Sequence, residues 1–279
     1  MQDRISSNTN LVAFSREGKR TMDNLIPLYA SCGYRALDLN FCEMMNPYSI
    51  LNTERGWEYA EKLKAEKAEY KLEYIQAHAP YPQDYTKLTD SEKKKIDDSI
   101  LLSMEYAHYL GIPQIIVHPI KGSIRDNIKY FESLLKRRKS PIKIAIENME
   151  STDEIYSPSS LIEIVSPLYP ECTICLDTGH AHIAGEDIPT FIEKTSKYLT
   201  ATHIADNNGK EDQHLLPGFG TICWESTIKA FNDFYSGYLN YECMFFSKSL
   251  PQSASDSVIK LSLALGDWLL SLASEKGTS

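Results

Sequence analysis

Residues 143–147 read KIAIE and residues 173–177 read TICLD. Each is an apolar run of strand length that ends on a carboxylate, Glu147 in the first and Asp177 in the second. An ionisable group closing a buried apolar strand is costly unless it is paired or bound to a cation. Two such strands with a helical stretch between them predict a parallel sheet whose chemistry sits at one end.

Working outward, the same alternation covers the chain. The predicted strands are NLVAF (10–14), RALDLNF (35–41), YIQAH (74–78), QIIVH (114–118), KIAIE (143–147), TICLD (173–177), ATHIA (201–205) and NYECMFF (240–246). Helical segments are expected at about 19–32, 57–71, 90–109, 123–138, 159–167, 188–197, 224–235 and 254–273. Thr89 or Asp90 can cap the third helix, Gly111 before Pro113 ends it, and Gly33 closes the first. Eight strands each followed by a helix predict an α/β fold, a single-domain (β/α)8 TIM barrel over 1–279 with its structured core at about 10–273. The polar tail after Leu272 is expected to be disordered. Neither G-x-G-x-x-G nor G-x-x-x-x-G-K-[ST] occurs, so a dinucleotide or P-loop site has no support.

Composition narrows the function. With 29 basic and 38 acidic residues the net charge is −9, which argues against a nucleic-acid partner because phosphate binding needs a basic footprint. The densest basic stretches, Lys93 to Lys95 and Lys136 to Lys139, read as solvated helix faces. No apolar run is long enough to span a bilayer, and Met1 to Asn10 carries no signal-peptide core, so the expected location is the cytoplasm. The six cysteines are scattered, and Cys172 and Cys175, although spaced C-x-x-C, are expected to be buried thiols of a strand.

Of the seven histidines, only His108 lies mid-helix, where a structural role is expected. His78, His118 and His203 fall at or near the ends of predicted strands, together with Glu147, Asp177 and Glu242. His180 and His182 follow Asp177, and Asp212 and His214 follow strand seven. In a barrel those C-terminal ends form the active-site face. Six successive strands delivering His, Glu or Asp to one end predict a metal site. Phe14, Trp57, Tyr81, Phe219 and Trp224 lie near predicted βα loops, as a platform for a bound ligand or as ordinary packing.

The ordered series HAPY (78–81), VHP (117–119), ENM (147–149), LDTGH (176–180), HIAD (203–206), DQHLLPGFG (212–220) and YE (241–242) resembles the sugar phosphate isomerase/epimerase group of the xylose isomerase-like superfamily, and also endonuclease IV of that superfamily. The resemblance covers nearly the whole chain. In the first branch it implies one divalent metal held by Glu147, Asp177, His203 and Glu242. Mn2+ suits so oxygen-rich a set, and Mg2+, Co2+, Zn2+ or Fe2+ are compatible. It implies a sugar or polyol substrate and proton transfer through an ene-diolate, with Glu147 and Glu242 as the acid and base pair. His180, with His78, His118, His214 and Lys210, would contact substrate.

The second branch implies a zinc phosphoesterase on abasic DNA. Its nine ligand types are all present, which adds His78, His118, His180, Asp212 and His214 as metal ligands. Three departures favour the sugar branch. The N-terminal strand lacks the histidine-containing, glycine-rich opening of the endonucleases, the chain is acidic, and the segment DNNGKEDQHLLPGFGTICW (206–224) resembles the isomerase group. A dehydratase or lyase reached by β-elimination is a third reading within the fold. No compact cationic cluster calls for a phosphate, so a free sugar is favoured. The number of metals, the sugar and the oligomeric state are not set by the sequence, although barrels of this type often form homo-oligomers.

Overall fold

A computed structural model describes residues 4–81, 84–151, 153–244 and 246–272. Eight parallel strands form the central sheet: β1 (Ile5–Asn8), β2 (Ala36–Asn40), β3 (Glu73–His78), β4 (Gln114–Val117), β5 (Lys143–Glu147), β6 (Cys172–Asp177), β7 (Leu199–His203) and β8 (Leu239–Tyr241). Their order is β8-β1-β2-β3-β4-β5-β6-β7. The seam between β7 and β8 is drawn together just beyond β7, where Ile204 N–H donates to Asn240 O (2.7 Å) and Glu242 N–H to Ile204 O (3.1 Å). The Thr202 hydroxyl adds a bond to Tyr238 O at 2.9 Å. The architecture is therefore a TIM barrel with helices outside it.

The helices are α1 (Met22–Cys32), α2 (Gly56–Glu69), α3 (Asp90–Tyr109), α4 (Ile124–Arg137), α5 (Pro158–Val165), α6 (Thr178–Ile183), α7 (Ile188–Thr195), α8 (Trp224–Phe234) and α9 (Ser255–Ser271). Punctuation follows expectation. Thr89 closes a capping box with Glu92 at the start of α3, and Gly33 takes the left-handed conformation (φ 117°) that ends α1. The short helix α6 was not foreseen. Its N-cap is Asp177, whose Oδ1 accepts from His180 N–H at 2.7 Å.

Two strands differ from expectation. The first is Ile5–Asn8 (ISSN) rather than residues 10–14. Leu11, Val12 and Ala13 are buried, but in turns between β1 and a two-stranded ribbon of Phe14–Ser15 and Gly18–Lys19. Polar β1 is stable inside the barrel because partners await it: the Ser6 hydroxyl bonds Asn240 Oδ1 at 2.8 Å, Asn8 O accepts from the Tyr29 hydroxyl at 3.1 Å, and Asn8 Oδ1 accepts from Asn10 N–H at 2.7 Å. The last strand ends at Tyr241, so Glu242 stands just past it. Residue 273 and the expected disordered tail lie outside the described residues.

Apolar packing divides into two parts. The large core lies between sheet and helices, while Ile116, Ala145, Cys175 and Ala201 form a small separate cluster. Cys172 and Cys175 fall in different clusters, as an odd spacing on a strand requires, and both are buried free thiols. No described helix is long and apolar enough to cross a membrane.

Candidate active site

Period-two alternation builds the site. Ile116, Ala145, Cys175 and Ala201 meet in the small inner cluster. Two residues further along each strand direction stand His118, Glu147, Asp177 and His203. The flanking strands repeat the spacing, with Gln76 before His78 and Asn240 before Glu242. Side chains two apart share a face, so one apolar and amide layer supports a ring of six potential ligands at the C-terminal mouth.

The ring is tight. His203 Nδ1 is 3.1 Å from Glu147 Oε1 and 3.1 Å from Glu242 Oε2. Donor atoms of Glu147, Asp177, His203 and Glu242 all lie within 4.8 Å of one another. His118 Nε2 and His78 Nε2 stand 3.2 and 3.4 Å from Glu147 Oε2, and 3.1 Å from each other. On the β7–α8 loop, Asp212 Oδ2 lies 2.8 Å from His214 Nε2 and 3.6 Å from His180 Nε2.

Most of these groups are aimed by a second contact. His78 Nδ1 is 2.8 Å from Ala79 O, His180 Nδ1 is 2.9 Å from Asn148 O, and His214 Nδ1 is 2.8 Å from Glu242 O. A donated Nδ1–H leaves each Nε2 free to accept or to bind a cation. For His203 the arrangement is reversed: Nε2 faces the Asp38 carboxylate at 3.5 Å and Nδ1 faces the ring. Asn148 ties β5 to β6, accepting from Asp177 N–H at 2.7 Å and donating to Asp177 O at 2.9 Å. His214 itself sits at φ 46°, an uncommon conformation for a residue with a side chain.

Electrostatics show what the ring lacks. Burial pushes the Asp177 carboxyl up to about 7; Glu147 and Glu242 add to this against the pull of His180. Burial would raise Glu147 as well, but His203 and His118 outweigh it and hold that carboxyl well below the usual range. Burial opposes the charged form of His214, yet Asp212 raises it to about 9. The carboxylates thus draw positive charge to themselves. Hydrogen bonding gives the same answer. Both Glu147 oxygens, Asp177 Oδ2 and both His203 nitrogens are buried without a hydrogen-bond partner. Such orphans are rare in folded proteins, and a divalent cation would satisfy several at once. The residues fit a metal.

Several placements depart from the sequence reading. Lys210 is exposed in the turn after β7, where its backbone N–H donates to Asn208 Oδ1, and it is not among the residues lining the two cavities beside the ring. His182 is turned outward to Thr221 at 2.8 Å, and His108 is exposed on α3. Of the aromatic candidates, Tyr81 stacks on His118 with ring centroids 4.3 Å apart. Trp224 is buried with its indole N–H on Asp206, and Trp57 packs on Tyr106 and Tyr109. Asp38, Asn148 and Asp206 had no role in the sequence reading. An Asp inside ALDLN was the available signal for the first of these.

The xylose isomerase-like TIM barrel family matches residues 26–258. This chain belongs to that family. An uncharacterized protein of Methanocaldococcus jannaschii is 26% identical over 192 residues, 62% of this barrel and 65% of its own length. The apurinic-apyrimidinic endonuclease 1 of Saccharomyces cerevisiae is 25% identical over 208 residues, 64% of this barrel and 56% of its own length. The match thus spans less than two thirds of either relative. Among solved structures, a D-tagatose 3-epimerase-like protein has a TM-score of 0.75 at 21% identity, covering 98% of this barrel and 99% of that chain. At that identity the likeness is one of fold.

Proposed function

We propose that this barrel is a divalent-metal-dependent epimerase or isomerase acting on a small sugar or polyol. The observation that carries the reading is where the unsatisfied groups concentrate. Glu147, Asp177 and His203 hold orphaned buried atoms, and Glu242 joins them within 4.8 Å. His78, His118, His180 and His214, by contrast, each have a hydrogen-bond partner. The need for a cation therefore centres on the set from β5, β6, β7 and the end of β8, with His78, His118, His180 and His214 left to face substrate.

A cation held there would polarise a substrate carbonyl and acidify the neighbouring C–H. Glu147 and Glu242, from strands on different sides of His203, provide the two proton carriers. One carboxylate takes the proton from carbon, and the other, protonated, returns one to the opposite face. Asp38 holds His203, and Asn148 holds Asp177 and His180, so these positions are set before substrate arrives. Solved structures similar to this one in fold include a D-tagatose 3-epimerase-like protein and a D-psicose 3-epimerase, in keeping with the reading.

A second reading, phosphoester hydrolysis at a multinuclear centre, is favoured by one observation. His78, His118 and Glu147 form another compact donor group sharing Glu147 with the first. The endonucleases among the sequence relatives point the same way.

The test is exchange in D2O. Metal-loaded protein is incubated with a panel of ketoses and their 1-phosphates, and incorporation of carbon-bound deuterium is followed by NMR. Deuterium beside the carbonyl of at least one ketose is expected, and the product's configuration separates epimerase, isomerase and lyase. Cleavage of abasic DNA with no exchange in any ketose would replace this reading by the second.

A further inference from the structure

The ligand ring is delivered by β3 to β7 and the end of β8, and neither β1 nor β2 adds a member to it. What β2 contributes lies one layer deeper. Asp38, in the middle of ALDLN, is fully buried beside Gln76 and Asn240, the residues that precede His78 and Glu242 by two. Its Oδ2 accepts from Gln76 Nε2 at 3.1 Å and from Asn240 Nδ2 at 2.9 Å, and lies 3.5 Å from His203 Nε2. His203 is on β7, which β8 and β1 separate from β2 around the wall, so this contact crosses the barrel interior.

Two features set the Asp38 carboxylate apart. The first is that the amides do not need its charge. The neutral carbonyl oxygen of an asparagine could accept from Gln76 and Asn240, whereas an ionised carboxylate in the interior is costly unless a polar or charged donor faces it. His203 Nε2 is placed to be that donor. The second is that the histidines of the site are anchored unequally. His78, His180 and His214 each set Nδ1 on a backbone carbonyl and so present Nε2. His203 presents Nδ1, 3.1 Å from both Glu147 and Glu242, and a full carboxylate faces its Nε2. The Cys175 thiol adjoins the same ring, but a thiol is a weak donor and a weak acceptor.

We propose that Asp38 is a positioning residue of the metal centre: reaching across the barrel, its carboxylate holds the Nε2–H of His203, turns Nδ1 toward Glu147 and Glu242, and strengthens that nitrogen as a ligand. A carboxylate on the far N–H fixes the ring plane and raises the basicity of the ligating nitrogen. The inference rests on the cation assigned to the ring and is independent of the choice between sugar and phosphoester chemistry.

The test adds Co2+ to metal-free, full-length protein and to the Asp38→Asn, Asp38→Ala and Cys175→Ala variants. Affinity is read by calorimetry, and the His203 N–H by its paramagnetically shifted, solvent-exchangeable proton resonance. The wild type should show that proton in slow exchange. Asp38→Asn keeps an oxygen under Gln76 and Asn240 and removes only the charge, so about tenfold weaker binding and a displaced N–H resonance are expected. Asp38→Ala should weaken binding by about 100-fold and broaden the resonance away; should that variant fail to fold, Asp38→Asn carries the test. Cys175→Ala should stay within about threefold of wild type, below the range of a true anchor. Asp38 variants that melt lower while Co2+ affinity and the N–H resonance stay unchanged would reduce Asp38 to strand packing and overturn the proposal. A loss in Cys175→Ala equal to that in Asp38→Asn would overturn it as well, and no Co2+ uptake by the wild type would remove cation and proposal together. None of these readouts uses a substrate, so failure of the sugar reading registers separately, in the ketose exchange panel.

Discussion

Glu147→Gln should lower the rate of deuterium exchange at the substrate carbon by about 10³-fold or more, and Glu242→Gln should do the same. A positioned acid or base typically contributes 10²- to 10⁴-fold, and each of these residues is also placed to hold the metal. The substitution keeps shape but turns an acceptor into a donor. For Glu147 that donor is forced among His118, His203 and His78, which already crowd its two oxygens at 3.1 to 3.4 Å. The fold should survive, because removing one of several clustered carboxylates also relieves repulsion. Circular dichroism and exchange rates at saturating Mn2+ check both halves. Exchange within tenfold of wild type in either variant would defeat the two-carboxylate scheme.

The second large effect is on stability. Asp206 is fully buried, and its carboxylate accepts from four N–H groups: Asn207 at 2.9 Å, Gly218 at 2.9 Å, Ile222 at 3.2 Å and the Trp224 indole at 2.9 Å. These bonds fold the loop that carries Asp212 and His214 back over the barrel mouth. Gly220 makes room for it, since a Cβ there would lie 2.3 Å from Asp206 Oδ1. Asp206→Asn supplies only one acceptor oxygen and points an amide at two of the four donors. Leaving buried donors unpaired costs about 1–3 kcal/mol each, so a loss of about 3 kcal/mol is expected. For a chain of this size that lowers Tm by roughly 6–12 °C. A melting temperature within 2 °C of wild type would show that the loop is held by something else.

How much of this was readable from residues alone follows a physical line. Strands buried on both faces, such as KIAIE and TICLD, announce themselves by apolar runs, and the polar residue that ends each one marks the mouth. The ring from His78 to Glu242 was legible for that reason. Strand β1 was not, because ISSN looks like a loop until Asn240 and Tyr29 are brought beside it. NLVAF was misread as a strand because burial and strand conformation are different things, and its leucine and valine are buried in turns. Asp206 could not have been assigned, since its partners are gathered only by the loop it organises.

Metal content decides whether a single divalent cation is held by Glu147, Asp177, His203 and Glu242. Protein purified without chelator and without a nickel-charged resin is analysed by inductively coupled plasma mass spectrometry, alongside Asp177→Asn. One Mn2+, Co2+ or Mg2+ per chain is expected in the wild type, with at least a tenfold weaker hold on it in the variant, as loss of a carboxylate ligand implies. Two or three Zn2+ per chain would contradict it and transfer the site to phosphoester chemistry.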